Sequence, residues 1–401
     1  MFRTSRTIAA AAAVVLMGTL SGCGSVAGTP TAAEIDVRSL AVGDFPVDRY
    51  TYSQDAGNSG PALEGIRMSE ALAPAVNVDP SLDYGRGSML IPDPKSALGF
   101  LANVSKPVLE NRKMVVGYAT SGADRPDPEG QSRPGPDATA VTTVLLRFPD
   151  TDSARTAARE LEDADIGVSS ENRKLRSDEH PDAYVHWRPG IPTVGAFLAH
   201  EEFVVSLFIQ RPKADSADLV DWVDKTFTAA LDRLRGFRPT PIDELDALEV
   251  DPENLLARVV VADRSGRIPD PKNFAVYGPT YMVHTADRQL ERRRLLEESG
   301  FEKIALIDNS SVTRTRDAAG ADRLLRGLID TAGDHYDEHT APSDVPGATC
   351  LRLNDKGDPQ RHYRYRCFVS YKRYVATVSS DNETEVRQKV AAQYALLANS
   401  L

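Results

Sequence analysis

Apolar positions recur along this chain with period 3.6 in some stretches and period 2 in others, and the two patterns come in the same order twice. The first run spans about 36 to 237. It predicts a strand over 88–91, a helix over 97–109, a strand over 113–120, a strand over 140–148 and a helix over 153–163. A strand over 183–187, a hairpin over 194–210 and a helix over 217–234 complete it. The second run predicts, in matching order, a strand over 281–284, a helix over 287–299, strands over 303–307 and 312–316, and a helix over 321–330. It ends on a strand over 348–353, a hairpin over 363–379 and a helix over 384–398. The runs open alike, on Ile35-Asp36 and Ile242-Asp243. Their hairpins are the most specific match, with 197–206 lying over 368–377 and Ala196 falling where Cys367 sits.

This order predicts an α+β fold of two tandem duplicated domains, each an antiparallel or mixed sheet with helices packed on it. The N-terminal domain covers 35–237 and the C-terminal domain 242–401, divided at Arg238-Pro239-Thr240-Pro241. The helices carry their own evidence. Val223, Phe227, Ala230, Leu231 and Leu234 fall on one face, and the last helix starts at Ser380-Asp381-Asn382-Glu383 with capping-box spacing. The segment 121–138, with four prolines and three glycines, reads as a mobile loop.

The first residues divide as an export signal does: Arg3 and Arg6, then an apolar run over 8–17, then small residues. That run is too short to span a bilayer, and no later segment reaches the required length of about 20 apolar residues. Leu20-Ser21-Gly22-Cys23 resembles the lipobox of bacterial lipoproteins, which implies cleavage after Gly22 and a diacylglyceryl group on the Cys23 sulfur. At about 0.8 kcal/mol per buried methylene, such chains anchor a protein firmly. The expectation is therefore a signal peptide over 1–22, a flexible tether over 23–34 and a body held at the extracytoplasmic face of the cell membrane.

Charge sharpens that expectation. Cleavage removes Arg3 and Arg6 and no acid, taking the formal charge from -11 to -13, so neither nucleic acid nor an anionic membrane is attracted by the bulk of the chain. Arginine far outnumbers lysine, as in proteins of GC-rich genomes. In an exported chain the two remaining cysteines have an oxidising compartment and each other. Cys350 and Cys367 fall in two strands separated by a polar turn region, and bridging them would contribute about 3 kcal/mol.

The chain has no nucleophile elbow, phosphate loop, zinc-protease helix or paired C-x-x-C. Ser380-Asp381-Asn382 matches one motif of penicillin-recognising enzymes but lacks its companions, so it reads as a helix cap. His335-Tyr336-Asp337-Glu338-His339 reads as a solvated turn and not a metal site. Arg292-Arg293-Arg294 reads as a solvent face neutralised by Glu297 and Glu298 four residues on. His362, Arg364, Arg366 and, in register, Lys372 form a candidate basic stripe for an anionic envelope glycolipid or protein partner; charge on an edge strand is the plainer account. His186 is one of several scattered histidines.

Lipobox, tether, the repeated Ile-Asp opening, Gly278-Pro279-Thr280-Tyr281-Met282-Val283 and the two-cysteine second half together resemble a family of uncharacterised lipoproteins of mycobacteria, nocardiae and rhodococci. Those proteins are built of an N-terminal and a C-terminal domain of unknown function. The resemblance implies location and architecture and carries over no catalytic residue or cofactor. The functional expectation is a non-enzymatic envelope lipoprotein that binds a ligand or protein partner. The alternatives are a hydrolase with its site in the cleft between the copies, or a scaffold in envelope assembly.

Overall fold

The structure, a computed structural model, describes residues 35–400. Cys23, the leader and the tether lie outside the described residues. The first sheet is made of β1 (Tyr84–Ile91), β2 (Val116–Ala123), β3 (Ala140–Arg147), β4 (Arg173–Leu175), β5 (Tyr184–Trp187), β6 (Thr193–His200) and β7 (Phe203–Gln210). The second is made of β8 (Phe274–Tyr277), β9 (Phe301–Ile307), β10 (Ser310–Thr315), β11 (Tyr336–His339), β12 (Thr349–Leu353), β13 (Tyr365–Tyr371) and β14 (Tyr374–Ser380). The strand orders are β1-β2-β3-β7-β6-β5-β4 and β8-β9-β10-β14-β13-β12-β11, the same path through seven strands in both. Neighbouring strands are antiparallel throughout. The duplicated α+β architecture expected from the two hydropathy runs is present in the connectivity itself.

The helices follow in chain order: α1 (Gly60–Met68), α2 (Ala75–Val78), α3 (Pro94–Ala97), α4 (Lys106–Asn111), α5 (Thr151–Ile166) and α6 (Ser216–Leu234) in the first half. In the second come α7 (Pro279–His284), α8 (Gln289–Ser299), α9 (Ala318–Ala332) and α10 (Glu383–Ser400). Helices α5 and α9 occupy equivalent places and start the same way. The Asp150 side chain accepts from Ser153 N and that of Asp317 from Gly320 N, each at 2.7 Å. The β6–β7 and β13–β14 turns match too: Glu201 and Lys372 both take φ 51°, the left-handed conformation that a tight hairpin demands of any residue placed there. Under α5 the first core gathers Ile91, Leu109, Leu146, Phe148 and Leu161, while Leu219, Val223, Phe227 and Ala230 of α6 are buried along one stripe of that helix.

Several expectations are corrected. Residues 281–284 are not a strand but the end of α7, since Gly278 and Pro279 start a helix there; the strand is β8, just before. The helix over 97–109 is broken into α3, a 3-10 turn at Asn103–Ser105 and α4, because Gly99 and Pro107 interrupt it. The first strand is longer than expected and carries a bulge between Gly85 and Ser88. Residues 335–339 are not a solvated turn but a 3-10 end and the edge strand β11. The 121–138 loop begins only after Ala123 and is fastened: Arg86 donates twice to Asp127 at 2.9 Å and once to Ser132 O, and Gln210 donates to Gly135 O. Arg293 reaches Asn77 of the first copy, and among the described ion pairs none joins Arg293 to Glu297 or Arg294 to Glu298.

The two copies are stitched into one compact unit from Val37 onward. The stretch that precedes the first sheet lies on the second copy. Arg49 donates to Asn399 O, Asn399 donates to Val47 O, and the Tyr52 ring stands edge-on to Phe274. In return Leu245, at the start of the second copy, packs against Gly60 at the start of α1.

Candidate functional site

The junction between the copies is rich in ionisable groups, and these groups satisfy one another. His284 is fully buried, with Nδ1 2.9 Å from Thr120 Oγ1 and Nε2 3.1 Å from Ser69 O. Burial depresses its pKa to about 4. Glu70 reaches across to accept from Thr280 N at 3.0 Å and Thr280 Oγ1 at 2.6 Å, its carboxyl filling the space above Gly278, where a Cβ would lie 2.6 Å from it. Buried Glu64 pairs with buried Arg147 at 2.8 Å and accepts from Thr240 of the linker. Two cavities of about 720 and 520 Å³ flank Tyr277 in this junction; Tyr118 and Tyr281 line the smaller one, where Tyr277 and Tyr281 stack at 3.7 Å. The chemistry here is that of a fastener.

A different grouping stands inside the first copy, at the end of its sheet where α5 stops. His186 on β5 and Glu162 on the last turns of α5 form a buried pair, Nδ1 to Oε2 at 2.7 Å. Asp165, one turn on, places Oδ2 3.6 Å from Nε2 of the same ring. Burial by itself would depress the imidazole pKa; the hydrogen bond to Glu162 and the charges of Glu162 and Asp165 outweigh it and hold His186 above its ordinary value. Burial raises Asp165, against the pull of His186. The imidazole lies against Gly195, the residue opposite it on β6, where any Cβ would sit 2.7 Å from the ring. Phe197, two residues on, stacks beside it at 6.4 Å.

His186 and Asp165 face a cavity of about 300 Å³, with Glu162 buried behind the imidazole. Register explains its floor. Gly195 pairs with His186, Phe197 with Ser206, Ser206 with Val144 and Phe208 with Thr142, so these side chains point to the α5 face of the sheet. The half-exposed Phe208 contributes aromatic wall, while the Trp187 side chain, next to His186 on β5 and with its Nε1–H donating to Ile191 O, stands on the opposite face of the sheet. Asn172 and Arg188 add polar wall, the latter paired with Glu171 at 3.1 Å.

The second copy is an internal control for this site. Counting from the shared caps Asp150 and Asp317, Glu162 and Asp165 fall on Ile329 and Ala332. Counting from the pairs Val185–Ala196 and Cys350–Cys367, His186 falls on Leu351 and Gly195 on Arg366. Ile329, Ala332 and Leu351 pack there in an apolar cluster with Tyr336 and Phe368. The same fold therefore closes this position with aliphatic side chains in one copy and places two carboxylates and an imidazole there in the other.

The residues singled out from the sequence fare unevenly. Cys350 and Cys367 are bonded, opposite each other on β12 and β13. His362 stacks on His335, Arg366 lies over the Tyr336 ring at 5.0 Å, Arg364 stands outside β13 with its N–H on Asp381, and Lys372 is in the hairpin turn at the far end of that strand. The four do not converge on one place. His339 pairs with Glu383 at 3.1 Å. Asn382, not Ser380, caps α10: its side chain accepts from Glu385 N while Glu385 reaches back to Ser380 Oγ. The Glu162, Asp165 and His186 group was missed as a site. Its signal was present in the α5 stripe, where Ala154, Ala157, Ala158 and Leu161 are followed by acids while the α9 stripe stays apolar to its end.

Among the described residues no helix is long and apolar enough to cross a membrane. No curated protein matches the chain. Among solved structures, the extracellular domain of PknH from Mycobacterium tuberculosis is similar at 12% identity with a TM-score of 0.30, covering 42% of this chain and 93% of that one. The N-terminal part of a domain of unknown function, DUF7373, matches residues 51–250 and its C-terminal part matches 255–400. With both halves matched in order over most of its length, this chain belongs to the DUF7373 family.

Proposed function

We propose that this protein is a lipoprotein, anchored through Cys23 at the extracytoplasmic face of the membrane, that binds a small ligand in the cavity of its first copy without transforming it. The leader and lipobox support the location. The observation that carries the binding reading is the Glu162–His186–Asp165 group standing where Ile329, Leu351 and Ala332 pack in the duplicate. Burying two carboxylates and an imidazole costs free energy that aliphatic packing does not, and the second copy demonstrates that the fold closes without them. An envelope glycolipid is the partner chemistry nearest to hand for such a protein.

Two measurements test this. Replacing Cys23 with Ser should move the protein from the membrane fraction to the soluble one and remove the acyl mass from its N-terminal peptide; an unchanged distribution refutes the anchor. Purified mature protein should leave envelope extracts chemically unaltered. Turnover of a component that is abolished in His186→Gln would make the site catalytic and overturn the binding reading.

A further inference from the structure

Resting on the reading of the first copy's cavity as a ligand site, we propose that its occupant is a neutral polyhydroxylated ring, a saccharide unit. The hydroxyl is the group that fits the polar end. With Nδ1–H of His186 committed to Glu162, Nε2 is the free ring nitrogen, and it stands 3.6 Å from Asp165 Oδ2, too far for a direct hydrogen bond and close enough for one ligand atom to touch both. A hydroxyl both donates and accepts, so it satisfies a nitrogen and a carboxyl oxygen together, whichever of them holds the proton.

Charge argues for neutrality. An anion entering here meets Asp165 at the wall with Glu162 behind the imidazole, while Arg188 of the lining is already paired with Glu171. A cation meets His186, whose ring is held toward its charged form. The rest of the wall fits the remainder of a sugar. Asn172 and the hydroxyl-bearing Thr142, Thr193 and Ser206 offer further donors and acceptors, and Phe208 offers flat apolar surface for a ring C–H face. The volume, about 300 Å³, lies at the small end of ligand pockets, suiting one or two rings of a chain that continues outside.

The mature protein is titrated in a calorimeter with D-glucose, D-galactose, D-mannose and D-arabinose, with maltoheptaose, and with phosphatidylcholine vesicles with and without a glucosyl diacylglycerol. Glucuronate and glucosamine serve as charged counterparts. A second protein carries Glu162→Ile, Asp165→Ala and His186→Leu together, the residues of the second copy.

The expected result is a saturable heat of binding with at least one neutral sugar, weakened at least tenfold in Asp165→Ala and absent in the triple variant, which unfolds at an undiminished temperature. A response confined to maltoheptaose points to a polymer, and one confined to the glycolipid vesicles points to a headgroup; either supports the class. A response only to glucuronate or only to glucosamine, or to none of the probes, overturns the saccharide and leaves the cavity reading standing. A triple variant that loses several degrees of stability shows the group to be structural and overturns both.

Discussion

His284 Nδ1 lies 2.9 Å from Thr120 Oγ1, a hydrogen bond that joins the first helix of the second copy to β2 of the first copy's sheet. The other ring nitrogen donates to Ser69 O, so the imidazole sits neutral at the junction. Its folded pKa of about 4 lies below the unfolded value of about 6.5. The unfolded chain therefore takes up the proton first, and stability is lost as pH falls from about 6.5 through 4, by up to about 3 kcal/mol. Denaturant unfolding of the wild type and of His284→Gln across that range should give curves whose difference carries this slope. Parallel curves would show that His284 does not titrate on unfolding.

The Glu162 carboxylate sets the state of His186. In Glu162→Gln the strongest opposing influence on the ring is removed and burial dominates, so the imidazole pKa should fall from above its ordinary value to below it. Nuclear magnetic resonance of the ring protons through a pH series reads this directly. A pKa that stays raised would assign control to Asp165 alone.

Cys350 and Cys367 stand where the first copy has Val185 and Ala196. The double variant Cys350→Val, Cys367→Ala should accordingly fold and lose about 3 kcal/mol, the value expected for opening a loop of this size. Reduction of the wild type should cost a similar amount, and reduction of the variant nothing. A variant that fails to fold would mean that the bridge fixes the pairing of β12 with β13 rather than adding to it.

Removing Arg147 leaves Glu64 without its buried cation, with only half-exposed Arg67 and Thr240 beside it. Arg147→Met should destabilise the protein by about 3 to 5 kcal/mol, the usual cost of breaking a buried pair. Limited proteolysis should then cut first in the linker around Thr240. A loss below about 1 kcal/mol, with an unchanged cleavage pattern, would mean that Arg67 and Thr240 already satisfy the carboxylate.

Much of the fold could be read in advance because its cues are local. The Asp150 and Asp317 caps, the apolar stripe of α6 and the matching hairpins all express themselves within a few residues. The misread places depend on distant partners. Residues 279–284 become a helix with Glu70, some 210 positions away, bonded to Thr280 at its start. The 124–139 loop is held by Arg86 and Gln210 from two different strands. Edge strands β4 and β11 are too short and polar to announce themselves, and exist by pairing with β5 and β12.

The sequence by itself determined the repeated order of elements, the α+β class, the facing cysteines and the export signature, since periodicity, caps and spacing are properties of the chain. The tertiary structure alone decided which polar residues meet. Glu162 and His186 are separated by 24 positions and a strand, and their meeting depends on how α5 crosses β5 and on the missing side chain at Gly195. Helix and strand periods say which face a residue occupies, but not which residue of another element stands opposite it. That choice is made by packing.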